Sequence, residues 1–331
     1  MLSNNQIILH PTASNQHQIA IEPVQSSDKP FIQANTEPVE LVELRHSHII
    51  PVYVKDNEPL IGHYDFIEAA WDAASTVFGN GNLAQPTIRV SHPIKGRIPE
   101  ARNKPASELL EREKTLYYER MMFLIEIPCN YDEIGGNRLN LTIGGVKAYN
   151  LDNVYGKKGA SEHFKVFVGF KNTVCCNLCV NTDGLLADIR VNTKRELYSQ
   201  IYDLLCRYNA LNYLTQMQQL TQLSLSERQF AQLVGRCRLY QHLPPATKKG
   251  IPELHFGDSQ INQVCRDYYR DESFSREEGG SINLWRVFNL FTGANKSSYI
   301  DSFLARASGA SQLVGHIAES LSGKTSSWYL S

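Results

Sequence analysis

Thiols and imidazoles at short spacing are the side chains best able to hold a metal. Cys175-Cys176-Asn177-Leu178-Cys179 contains a Cys-x-x-Cys pair, but a tetrahedral structural zinc needs four ligands. Cys129, Cys206, Cys237 and Cys265 are isolated. On a strand, Cys176 would point away from Cys175 and Cys179, so the cysteines read as small buried apolar residues. His46 and His48 would share one strand face, with no carboxylate pattern beside them. Gly156-Lys157-Lys158-Gly159 lacks the spacing of a phosphate loop and reads as an exposed turn. No nucleophile elbow, metalloprotease helix or dinucleotide fingerprint appears. Neither a metal nor a cofactor is expected, and a non-enzymatic protein is favoured.

The most specific pattern lies in Leu284–Tyr299. On a helix, Trp285, Phe288, Asn289 and Thr292 fall at i, i+3, i+4 and i+7 and share a face. An amide on an otherwise apolar stripe must find partners or cost about 1–3 kcal/mol in desolvation. Asn289 therefore bonds a neighbouring loop and fixes packing, or it contacts a ligand. Asn177, Trp285, Asn289 and Thr292 form that ligand or structural motif. An enzyme site near Asn289 is one alternative function.

Charge supplies a different candidate. The 331 residues carry 33 basic and 34 acidic groups, a net charge of −1, so no global field attracts DNA or anionic lipid. Locally, residues 190–250 hold nine cations against three carboxylates. Lys194, Arg195, Arg228, Arg236, Arg238, Lys248 and Lys249 are the candidate nucleic-acid contacts. Tyr198, Tyr202, Tyr208, Tyr213 and Tyr240 are interleaved as stacking platforms. The competing interpretation is a solvated helix face with its tyrosines turned inward. The partner is then single- or double-stranded DNA; the alternative is an interaction protein or self-associating scaffold, suited by the long apolar-striped helix after Lys194.

The elements that would position these groups are read from hydrophobic period. Residues 1–38, rich in Gln, Asn, Ser and Pro, read as a disordered tail. Residues 39–193 form mainly sheet and 194–331 a helical region packed on it, in one compact unit. Strands are expected at Ile49–Val54, Leu60–Ile61 and Ile88–Val90. More follow at Tyr117–Ile127, Leu139–Tyr149, Phe164–Phe170, Val174–Val180 and Leu185–Val191. Asp65 caps a helix ended by Gly79, and Ser107 caps a short one reaching about Lys114. Leu197, Ile201, Leu204, Tyr208, Leu211 and Leu214 stripe a long helix running past Leu220. Ser226 to Gln229 is a capping box with Leu225 and Phe230 as its staple. Asp258, Ser281 and Ser298 are further caps. Consecutive strands with short links make the fold α+β, with a central, largely antiparallel sheet and a helical C-terminal half.

The 42% hydrophobic composition and mean hydropathy of −0.33 suit a soluble globular chain, and no apolar run of about 20 residues spans a membrane. The N-terminus lacks the pattern of a secretory signal. Seven cysteines, an odd number at irregular spacing, favour free thiols. A cytoplasmic location is expected, with no membrane partner.

Several stretches resemble a family of unknown function from bacterial mobile elements: Glu113–Arg120, Thr142–Asn150, Phe170–Leu178, Phe230–Arg236 and Trp285–Tyr299. The broader phage/plasmid-like proteins carry a Val-Cys-x-Asn-Thr-Leu strand, which Val174-Cys175-Cys176-Asn177-Leu178 resembles without its Thr. Their Trp-x-x-Tyr-Asn-x-x-Thr helix is similar to Trp285-x-x-Phe288-Asn289-x-x-Thr292, with Phe for Tyr. The resemblance covers about residues 40–310 and implies a setting beside DNA-processing genes; it implies no catalytic residue.

Overall fold

The computed structural model describes residues 29–47, 50–51, 61–101, 104–149 and 161–331. His48, the Gly156–Gly159 turn and most of the Ile49–Val54 strand lie outside the described residues. β1 (Glu37–Val39), β3 (Thr87–Val90), β6 (Arg120–Ile134), β7 (Asn137–Ala148), β8 (Glu162–Asn172) and β10 (Leu185–Val191) lie side by side in that order, with β9 (Leu178–Cys179) also paired to β8. Every pairing is antiparallel. β2 (Ile50–Pro51), β4 (Pro93–Arg97) and β5 (Lys114–Tyr118) make a second small sheet. β11 (Ser224–Leu225) pairs with β12 (Ile282–Asn283). The fold is α+β, as the residue pattern predicts.

Alternation along the long strands gives the main sheet two buried faces. Ile125, Leu141, Ile143, Phe164, Val168 and Phe170 point into the larger core, which also takes in α2 (His63–Phe78), α3 (Lys194–Arg207), α4 (Ala210–Leu220) and α8 (Leu284–Asn295). Met122, Leu124, Val146 and Phe167 point the other way into a smaller core. α9 (Ile300–Leu321) serves both, with Phe303, Leu304 and Ala307 in the smaller and Leu313, Val314 and Ile317 in the larger. Gly145 is required where α2 crosses the sheet: a Cβ there would stand 2.3 Å from Phe66 Cζ. Lys147 is buried beside it, its Nζ donating to the Ile61 carbonyl at 2.5 Å and pairing with Glu162.

Several expectations are corrected. The tail does not reach residue 38: Phe31 and Ile32 are buried in the smaller core, and the Gln33 amide donates to the Lys296 carbonyl at 2.8 Å. Few apolar residues suffice there because α9 already provides a greasy surface. His46 lies in a helix, α1 (Leu41–Ser47), not on a strand. α2 begins two residues before Asp65, whose carboxylate reaches back to the Gly62 amide at 3.0 Å. Ser107 falls in a 3₁₀ turn, with a second such turn at Glu111–Glu113 leading into β5. Val174–Val180 is a turn followed by the short β9, because Asn172 Oδ1 accepts the Val174 amide at 2.9 Å and Cys176 adopts φ 56°. The stripe after Lys194 is two helices. Tyr208 ends α3, and Asn209 Oδ1 accepts the Asn212 amide at 2.9 Å to start α4, leaving Leu211 64% exposed.

The capping box at Ser226 opens α5 (Glu227–His242) as expected, with Leu225 and Phe230 both buried. A short α6 (Pro245–Lys248) follows. Gly257 rather than Asp258 precedes α7 (Asp258–Arg270), and Asn283 rather than Ser281 caps α8. Tyr299 rather than Ser298 precedes α9.

Candidate functional site

The Trp285 motif is a structural staple. Trp285 Nε1 donates to Asn137 Oδ1 at 3.0 Å, and its ring closes over Gly135 in the β6–β7 turn. Asn289 is 1% exposed. Its Nδ2 donates to the Trp285 carbonyl at 3.0 Å, and its Oδ1 accepts from Asn177 Nδ2 at 3.2 Å. Asn177 Nδ2 also reaches the Asn289 carbonyl at 3.1 Å, while Thr292 bonds back to the Phe288 carbonyl at 3.0 Å. These bonds clamp α8 to the β8–β9 connection. Both polar ends of the Asn289 amide are satisfied from within the fold, which supports the packing reading over a ligand contact.

The cysteines are divided by the sheet. Cys176 belongs to the smaller core and Cys179 to the larger. Burial pushes the Cys175 thiol up to about 11. Among the described residues no group of three or more His, Cys, Asp or Glu side chains is placed to hold a metal.

The basic candidates fall on three helices and the residue after the last of them. Lys194 and Arg195 start α3, where Lys194 is paired with Glu68 of α2. Arg228, Arg236 and Arg238 belong to α5, where Arg236 and Arg238 project about 160° apart. Arg236 bonds the Ser331 carbonyl and covers the Trp328 ring, 4.8 Å from its centroid. Arg238 reaches Asn262 Oδ1 at 3.5 Å. Lys248 lies over Tyr240, and Lys249 is exposed. Residues 227–283 carry eight cations and eight carboxylates, so the acids that follow offset the basic stretch. Tyr208, Tyr213 and Tyr240 are buried, and Tyr198 stacks on Tyr202 with centroids 6.1 Å apart.

A different set of residues converges on a cleft of about 700 Å³. Its walls are the β9–β10 turn at Asn181, Thr182 and Asp183, α4 from Tyr213 to Leu220, and the second half of α9 from Ser311 to Ser322. Asn181 Oδ1 accepts the Gly184 amide at 3.1 Å and so fixes the turn. Gly184 is held close too: a Cβ there would meet the Val168 carbonyl oxygen at 2.1 Å. Tyr213 is 2% exposed. Burial raises its phenol well above the ordinary value, so it is a neutral hydroxyl. The Tyr213 hydroxyl is shielded from water, and Ser311 beside it works against the larger effect of burial. His316 Nε2 is likewise shielded from water and lacks a hydrogen-bond partner among the described residues. Sequence reading missed this cleft; of its lining, Tyr213 and Phe288 stood out beforehand, and for different roles.

A family model described as "Domain of unknown function, B. Theta Gene description (DUF3871)" matches residues 14–330. The chain belongs to the DUF3871 family. Membership brings both the Asn177–Asn289 staple and the cleft within the family's domain, and it bears out that the chain belongs to a family of unknown function. No curated protein and no solved structure matches the chain. Among the described residues no helix is long and apolar enough to cross a membrane.

Proposed function

We propose that this DUF3871 protein is a binding protein whose cleft between α4, α9 and the β9–β10 turn takes a small polar ligand. The observation that carries this is the convergence of polar side chains from three elements on that cleft: Asn181 and Asp183 from the turn, Gln216 and Gln219 from α4, and Ser311 and Gln312 from α9. Such groups donate and accept hydrogen bonds that a bound polar molecule can meet. The volume lies within the range of small-molecule sites. Ser311 and His316 Nε2 share the cleft without bonding each other, so a nucleophile–base pair is not assembled. A polar fragment library screened by saturation-transfer NMR tests the reading. Hits are expected to lose binding in Gln312→Ala and His316→Ala chains that retain their circular dichroism. Hits unaffected by both substitutions, or no hits, would sink it.

A second reading is nucleic-acid contact through the exposed cations Arg195, Arg228, Arg238 and Lys249. Mobile-element origin and kinship with the phage/plasmid-like proteins belong to it. Fluorescent-oligonucleotide anisotropy across a salt series tests it, since phosphate contacts give affinity that falls steeply with salt. Binding that is absent, or indifferent to salt, removes this reading.

A further inference from the structure

We infer that the cleft takes a neutral polyhydroxylated ligand of mono- to disaccharide size; this rests on the cleft being a binding site. Four side-chain amides stand in its lining, with Asn181, Gln216, Gln219 and Gln312 contributed by three different elements. Each amide both donates and accepts, as does each hydroxyl of a polyol. Thr182 and Ser311 add hydroxyls with the same double capacity. Asp183, exposed on the turn, offers a carboxylate with two oxygens to accept from neighbouring hydroxyls.

Charge argues against the other polar classes. Asp183 and Glu319 face a single cation, Lys324, in the lining, so a phosphorylated ligand would meet more negative than positive charge. An ammonium ligand is recognised by aromatic faces or clustered carboxylates. Here the two carboxylates come from separate elements, the turn and α9, with Lys324 as an offset. Leu223, Pro252 and Ala318, each half-buried, supply an apolar patch suited to the C–H face of a sugar ring.

Isothermal titration of the full chain with glucose, galactose, maltose, cellobiose, lactose and sucrose tests the class, with spermidine and inorganic phosphate run alongside. At least one sugar is expected to bind with Kd below about 1 mM. Asp183→Asn and Gln216→Ala should each weaken it about tenfold or more, as loss of a ligand hydrogen bond does. Asp183 is exposed, so that variant keeps its core. Sugar binding that both variants leave unchanged overturns the inference. So does failure of every sugar. If the sugars fail while spermidine or phosphate binds and the variants weaken it, the class is wrong and the cleft reading stands. If the fragment screen also finds nothing at the cleft, the reading beneath it falls as well.

Discussion

Replacing Asn289 by alanine separates a packing amide from a ligand contact. The side chain donates one bond to the Trp285 carbonyl and accepts one from Asn177, at 3.0 and 3.2 Å. Each is worth about 1 kcal/mol net, and the small void adds a fraction of that. Asn177 keeps its 3.1 Å bond to the residue 289 carbonyl, so its amide is not stranded. The expected loss is about 2–3 kcal/mol. For a chain of this length that lowers Tm by about 3–4 °C, taking about 2.1 cal/mol/K of unfolding entropy per residue. Scanning calorimetry with chemical denaturation reads the change. Asn177→Ala should cost a similar amount, and the double variant should reveal coupling of about 0.5–1.5 kcal/mol. An Asn289→Ala chain as stable as the parent would refute the staple, because only a residue held ready for a ligand is expected to be neutral or destabilising in the empty protein.

Gly135→Ala should cost about 2 kcal/mol or more, since φ is 56° there and the new Cβ would stand 2.7 Å from Trp285 Cδ1; thermal unfolding with tryptophan emission checks it. Glu162→Ala should destabilise by about 3–5 kcal/mol, because it strands the Lys147 ammonium, 1% exposed, and the Ile61 amide that Glu162 accepts at 2.6 Å; urea titration checks it. Glu68→Gln should cost no more than about 1 kcal/mol, since both partners of the Lys194 pair are over a third exposed; denaturation at low and high salt checks it. Iodoacetamide at pH 8, followed by mass spectrometry, should label the exposed Cys129 and Cys206 first. Cys175, with its thiol near 11, is then only about a thousandth thiolate; raising the pH toward 11 should speed its labelling.

Strands β7, β8 and β10 were legible because β-branched and aromatic residues are bounded there by Gly and Asn turns. The Cys-rich run was misread as a strand because its apolar character comes from a tight turn that presents Cys176 to one core and Cys179 to the other. The long C-terminal stripe hid a break for a similar reason: Tyr208 stays buried across it, so the apolar period continues while the backbone does not. Asn289 was found because an amide on an apolar face is costly wherever it occurs. The cleft was hidden because its walls come from segments around 181–183, 213–220 and 311–322, each ordinary alone. The cations are close along the chain, and the fold distributes them over α3, α5 and α6 with Lys249 just past it.

Because α9 fills holes on both sides of the sheet, a ribosome translating this message has made nearly the whole β-structure before the piece that seals it leaves the exit tunnel. Until then Phe167 on one side and Phe170 on the other have lost part of their cover, and the nascent chain carries two greasy surfaces at once. Closure of both cores thus waits on α9, and a holding chaperone is needed until that helix emerges.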